Sequence, residues 1–250
     1  ELENSFANFI RKAVERYDRD GKDDMPGLRS PVKYWQVENE PDLSSRYTAG
    51  FANLQKITYT AIKSACADCK VLMGGMASAT NGLKEFFEPV MKNLGGKYFD
   101  IFDYHCYGDK DGWKKCGNLA PEIKKIFSGY DFDIWLSETG TLSGAIRNAS
   151  GEKISKNQTE KDQAESLVKF YIYPLSKDVK KVFWAWGILE GFGEEGDTLF
   201  NKTGLIYDGQ DLDDLGFGVK KLSYYTYKKM VEALEGSDWD NIETIQEQGG

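Results

Sequence analysis

Five times along the chain a short apolar run gives way to a helix-patterned segment, and this alternation restricts the fold more than any other feature. Before the first repeat, residues 3–18 carry Phe6, Phe9, Ile10, Val14 and Tyr17 at helical spacing. A polar, Gly- and Pro-containing stretch leads to the first strand pattern, Val32-Lys-Tyr-Trp-Gln-Val37, which runs into Glu38-Asn39-Glu40-Pro41. Ser44 and Ser45 are suited to cap a helix reaching about Ala67, with Phe51, Leu54, Ile57 and Ile62 on one side. The spacing then predicts a strand over 71–77 and a helix over 82–94, followed by a strand over 98–108 and a short helix over 120–128. It ends with a strand over 131–140, a helix over 159–177, a strand over 181–189, a loop over 190–216 and a last helix over 217–235. Short strands that are apolar on both faces and alternate with helices form parallel sheets covered by helices. The expected class is therefore α/β, a barrel or a doubly wound sheet. The chain shows no repeat beyond the alternation, no low-complexity tract and no linker, so one domain over residues 1–250 is expected.

The net charge of -8 argues against nucleic acid, which selects a basic face, and against an anionic membrane surface. No apolar run approaches the roughly 18 residues that span a bilayer. The opening Glu1-Leu-Glu-Asn-Ser-Phe6 is acidic and helical in pattern, without the marks of a signal peptide. A secreted and a cytoplasmic setting both remain open. Cys66 and Cys69 form a CxxC, but a zinc site wants a second pair or histidines, and the chain has 1 His, so no metal and no cofactor are expected. Cys106 and Cys116 can pair across a loop in an oxidising compartment. Asn148, Asn157 and Asn201 head glycosylation sequons that matter only in a secreted eukaryotic context.

In parallel α/β folds, chemistry gathers at the C-terminal ends of strands. The first strand ends in Asn39-Glu40, the third in His105 and Tyr107, the fourth in Glu138, and the fifth carries Trp184 and Trp186. Two carboxylates with a His, a Tyr and tryptophans suit glycoside hydrolysis. One carboxylic acid protonates the leaving oxygen and a second carboxylate attacks the anomeric carbon or activates water, while aromatic faces stack on the sugar. Period-two alternation places Ile134, Leu136 and Glu138 on one face, which is expected to point inward. It also groups Trp184 with Trp186, and Asp103 with His105 and Tyr107. Glu38 is expected to face away. Asp103 and Asp197 are possible hydrogen-bonders to sugar, and the charge-rich 109–115 and 194–214 segments are expected to be solvated loops.

Trp35-Gln-Val-Glu-Asn-Glu-Pro41 resembles the Asn-Glu-Pro signature that ends the fourth barrel strand of clan A glycoside hydrolases. Trp135-Leu-Ser-Glu-Thr-Gly140 is similar to their seventh-strand nucleophile motif, with a family-39-like or family-5-like flavour. The resemblance implies a (β/α)₈ TIM barrel and a retaining O-glycosidase acting on a β-linked carbohydrate. Glu40 would be the acid/base and Glu138 the nucleophile. Asn39 would bond the sugar 2-hydroxyl, Tyr107 would hold Glu138 ionised, His105 would line the same subsite, and Trp184 or Trp186 would be the stacking platform. It also implies that the first three strands are missing, with an Arg and further sugar contacts that they carry. About five βα units make an incomplete barrel with two open edges. A fragment of a longer enzyme, a barrel completed by another chain, and a self-associating partial barrel all fit. The alternative function is a catalytically weak carbohydrate-binding or assembling partial barrel.

Overall fold

The computed structural model describes residues 1–43, 47–77, 82–191, 197–238, 241 and 243, so the expected Ser44 and Ser45 cap lies outside the described residues. The element order is α1 (Leu2–Tyr17), β1 (Tyr34–Val37), α2 (Thr48–Ala65), β2 (Lys70–Met76), α3 (Glu88–Leu94), β3 (Ile101–Tyr107), α4 (Trp113–Ile126), β4 (Asp133–Gly140), α5 (Glu160–Leu175), β5 (Val179–Trp184) and α6 (Leu222–Leu234). The expected alternation is present, and the strands form one five-stranded parallel sheet in the order β1-β2-β3-β4-β5.

Three boundaries differ from expectation for identifiable reasons. Helix α4 begins at Trp113 because Cys116, Leu119, Ala120, Ile123 and Phe127, all buried, repeat at helical spacing once the cysteine is counted as apolar. Helix α6 begins at Leu222 instead of 217, because Lys220 pairs with Ile206 in an antiparallel bridge and Lys221 becomes the N-cap. Strand β5 ends at Trp184, so Trp186 lies beyond it and the two tryptophans do not share a strand face.

The chain forms two compact units: Glu1–His105 with Glu122–Ser137, and Cys106–Pro121 with Glu138–Gly250. In the first unit, β1 and β2 pair from Tyr34↔Lys70 to Val37↔Met73. The β2–β3 register slips by one residue between Met73↔Phe102 and Met76↔Tyr104, at the Gly74-Gly75 pair. One face of this sheet is a phenylalanine core. Phe102 meets Phe87 at 5.1 Å and Phe127 at 5.6 Å, and Phe51 meets Phe86 at 5.4 Å. These phenylalanines are core, not site, in this unit. The other face carries Leu72, Ile101 and Trp135, with Tyr34 against the Trp135 ring at 4.8 Å. Trp135 and Ser137 thus line the face away from the helices, and Ile134 and Leu136 alternate to the helix-covered one. This reverses the expectation that Ile134 and Leu136 form the inward row.

Cys66 and Cys69 are joined as a disulfide at the end of α2, which removes the thiolates that a metal would need. Cys106 and Cys116 form a second disulfide, in the second unit, from the end of β3 to α4.

The second unit packs Leu167 of α5, Leu205 and Met230 of α6 with the flanking Trp184, Tyr171 and Tyr227. Helix α5 starts with a capping box: Asp162 N donates to Thr159 Oγ1 at 3.1 Å, and Thr159 N donates to Asp162 Oδ2 at 2.9 Å. The Thr159 backbone N–H, the Thr159 hydroxyl and the Lys110 ammonium, in that order, hold the Asp162 carboxyl below its ordinary range, at about 2. A carboxyl depressed in the folded state stabilises above its unfolded pKa and loses that contribution as pH falls. Asp162→Asn is therefore expected to be less stable than the parent at neutral pH, with the difference closing as pH falls from about 4 to about 2. Thr159→Ala is expected to cost about 1 kcal/mol. Urea denaturation across pH measures both.

Candidate active site

Glu40 follows the end of β1 in a turn with unusual backbone. Glu38 and Glu40 both lie in the left-handed region, at φ 63° and 51°, which costs a non-glycine residue roughly 1–2 kcal/mol. The turn is held from β2: Glu40 N donates to Gly75 O at 3.1 Å, and Ala77 N donates to Asp42 Oδ1 at 2.9 Å. Gln36 Nε2 donates to Glu38 O at 3.0 Å. The Glu40 carboxyl is hydrogen-bonded to His105, Oε1 to Nδ1 at 2.7 Å, and the imidazole is buried. Asn39 and Glu38 are exposed on the same turn.

Gly74 and Gly75 make this arrangement possible. A Cβ on Gly74 would stand 2.1 Å from Val37 O, and one on Gly75 would stand 2.1 Å from His105 Nε2. Both positions exclude every other residue unless β1 or His105 moves. The apolar run 71–77 reads as an ordinary buried strand, so this pair went unmarked in the sequence. Adjacent glycines inside a strand pattern were the available signal.

Asp103, expected as a possible sugar contact, is fully buried instead. Its Oδ2 accepts from Gly75 N at 3.0 Å and from Ser137 Oγ at 2.9 Å, so it braces strands.

In the second unit, Tyr107 Oη donates to Glu138 Oε2 at 2.9 Å. The Tyr107 ring meets Phe200 edge-on at 5.0 Å, and Phe200 meets Trp186 at 5.7 Å. Trp186 is 37% exposed. Trp184 is turned inward: its ring packs on Phe170 at 6.1 Å, and its Nε1 donates to Thr203 O at 2.8 Å. The cause is the alternation of β5, which turns Trp184 onto the α5 side.

Phe200 lies in the charge-rich 194–214 segment, whose composition predicts a solvated loop and marks no aromatic contact. The described part of that segment is organised by buried charge. Lys202, in the turn Phe200–Lys202, is buried and pairs with Asp211 and, at 3.2 Å, with Asp197. Asp197 Oδ2 also accepts from Arg147 N at 2.6 Å. Lys221, buried completely, bonds Glu190 and Ser143 Oγ (2.8 Å) as well as Lys202 O (3.3 Å). Burial pushes the Glu190 carboxyl up to about 7 against the pull of Lys221, and burial lowers the Lys221 ammonium.

Two acidic groups resemble metal sites. The carboxylates of Asp18, Asp20 and Asp24 approach within 4.8 Å, but they accept backbone N–H groups of Arg19, Asp20, Gly21 and Lys22 and the Lys22 ammonium. In the Glu190–Asp208–Asp214 group, the Lys221 ammonium already supplies a cation to Glu190.

Removing one partner of a buried pair strands the other charge. Lys221→Met is expected to destabilise by about 3–5 kcal/mol, and the added change Glu190→Leu to restore most of it. A double-mutant cycle by chemical denaturation gives the answer.

No family model and no curated protein sequence matches the chain. Solved structures do. A glucosidase from Croceicoccus marinus aligns with TM-score 0.66 at 18% identity, over 93% of this chain and 46% of that one. The GH53 catalytic domain of Ignisphaera aggregans aligns with TM-score 0.61 at 18% identity, over 92% and 65%. A GH39 β-xylosidase from Caulobacter crescentus aligns with TM-score 0.55 at 18% identity, over 94% and 47%. The chain spans about half to two thirds of the length of these proteins, and over that length it shares the α/β fold of glycoside hydrolases.

Proposed function

We propose that residues 1–250 are a single, partial catalytic domain of a retaining O-glycoside hydrolase that cleaves β-linked carbohydrate by double displacement. The observation that carries this reading is that two glutamates at strand ends each have one ring partner, Glu40 with His105 and Glu138 with Tyr107. The shared fold supports it.

The chemistry follows from the partners. Glu138, hydrogen-bonded by the Tyr107 hydroxyl, attacks the anomeric carbon, and the bond to the leaving oxygen breaks. Glu40 gives its proton to that oxygen. Water then attacks the anomeric carbon of the glycosyl ester, Glu40 takes the proton of that water, and Glu138 leaves as the carboxylate. His105 orients the Glu40 carboxyl through both steps. It accepts from Glu40 or donates to it, because the imidazole proton can sit on either nitrogen. Asn39 would hydrogen-bond the sugar 2-hydroxyl, and Trp186 would stack on the ring.

Aryl β-glycosides test the roles. Glu138→Ala is expected to lower hydrolysis at least about 1,000-fold, and proton NMR of the first product is expected to show the retained anomer. Unchanged hydrolysis in Glu138→Ala would reject the nucleophile, and an inverted product would reject double displacement.

A second reading is supported by the sheet edges. Strands β1 and β5 end the strand order, and Tyr34 and Phe183 on them are 46% and 45% exposed. We propose that a complementing chain or a second copy adds strands there, and that without it the chain binds carbohydrate with little turnover. Size-exclusion chromatography with intact-mass analysis is expected to find a species heavier than one chain in the active fraction. Activity confined to the monomer rejects this reading.

A further inference from the structure

A cleft of ≈ 390 Å³ opens in the second unit between the Arg147–Gly151 turn and the Asp208–Leu212 loop. We propose that this cleft is a binding subsite for an uncharged oligosaccharide, continuing from the Tyr107–Phe200–Trp186 rings along the turn Phe200–Lys202. The proposal rests on the glycosidase reading and adds the length of substrate that the protein selects.

Three observations carry it. The first is continuity. Phe200 contacts Tyr107 and Trp186, the next residue, Asn201, lines the cleft, and Asn201 O accepts from Gly191 N at 3.2 Å. A single turn therefore joins the aromatic cluster to the cleft.

The second is charge. The cleft is rich in ionic side chains, and its cations are already engaged by carboxylates of the protein. Arg147 Nη2 donates to both carboxylate oxygens of Asp213, at 3.1 and 3.0 Å, and Lys202 is shared by Asp197 and Asp211. Asp208 is hydrogen-bonded to Asp214, whose carboxyl is raised first by burial and then by that bond. A phosphate would have to displace one of these carboxylates from Arg147 or Lys202. Hydroxyl groups need not, because an ionised carboxylate offers about four acceptor positions and only some are in use. A volume near the low end of the roughly 300–1,000 Å³ range of small-molecule sites suits a short saccharide.

The third is construction. Gly191 lies at φ 73°, and a Cβ there would stand 1.7 Å from Asp208 Oδ2. Glycine at 191 keeps the Asp208 carboxylate in the cleft wall. Leu212, 79% exposed at the other side, offers an apolar surface to the C–H face of a sugar.

Isothermal titration of the intact chain with neutral β-linked glucose and xylose oligomers of increasing length tests this. Affinity is expected to rise with length. Asp208→Ala and Leu212→Ala are each expected to remove that rise, with about a tenfold loss for the longer oligomers and none for the monosaccharide. Leu212 is exposed, so its truncation leaves the fold intact and keeps the test clean. No binding of any oligomer, affinity independent of length, or a length dependence unchanged in both variants overturns the proposal. So does a titration in which Asp208→Ala abolishes calcium binding and leaves saccharide binding alone. Titration needs no turnover. Length-dependent binding with no hydrolysis rejects the reaction and keeps the subsite, whereas Glu138-dependent hydrolysis with indifferent cleft variants does the reverse.

Discussion

A carboxylate with no exposed surface must find donors, because an unpaired buried charge is among the most costly things a fold can contain. Asp103 is such a group, and its Oδ2 accepts from Gly75 N–H and Ser137 Oγ, from the strands on either side. Much of the first unit's rim follows. With its amide fixed by Asp103, Gly75 presents its carbonyl to Glu40 N–H, and its missing side chain leaves the space that His105 fills. Left-handed backbone at Glu38 and Glu40 persists only where its surroundings over-determine it. The Gly75 carbonyl, the Gln36 amide and the His105 ring supply that determination.

The second unit solves the same problem with longer loops. Its segments after β4 and β5 have few regular elements to hold them, and two buried ammonium groups take over. Lys221 gathers Ser143, Glu190 and the Lys202 carbonyl, and Lys202 gathers Asp197 and Asp211. Ionic clamps of this kind are directional where apolar packing is not, so they fix one loop conformation. The Phe200 turn carries its aromatic side chain toward Tyr107 on that support.

The alternation of strands and helices was legible because period and length report burial directly. The carboxylates at strand ends were legible because parallel strands deliver their last residues to one rim. What escaped notice was whatever depends on a neighbour. Cys116 completes the apolar stripe of α4 only if a disulfide-bonded cysteine counts as apolar. Ile134 and Leu136 look like an inward row, but both faces of a helix-covered parallel strand are apolar, so alternation cannot say which face is which. Lys202 and Lys221 look solvated because charge in a sequence carries no mark of its partner. Trp184 and Trp186 are two residues apart, and the end of β5 between them sends one into the core and leaves the other half-open.

The edges of the sheet differ in kind. β5 presents Lys180 and Lys181, and Lys180 is held by Asp178 at 2.7 Å. Charged lysines are a common guard against unwanted strand addition. β1 is short, with Tyr34 and Gln36 exposed and uncharged. The two borders of the described sheet thus carry unequal guards against strand addition: a neighbouring strand would meet paired charge on β5 and none on Tyr34–Val37, where an introduced lysine would supply it.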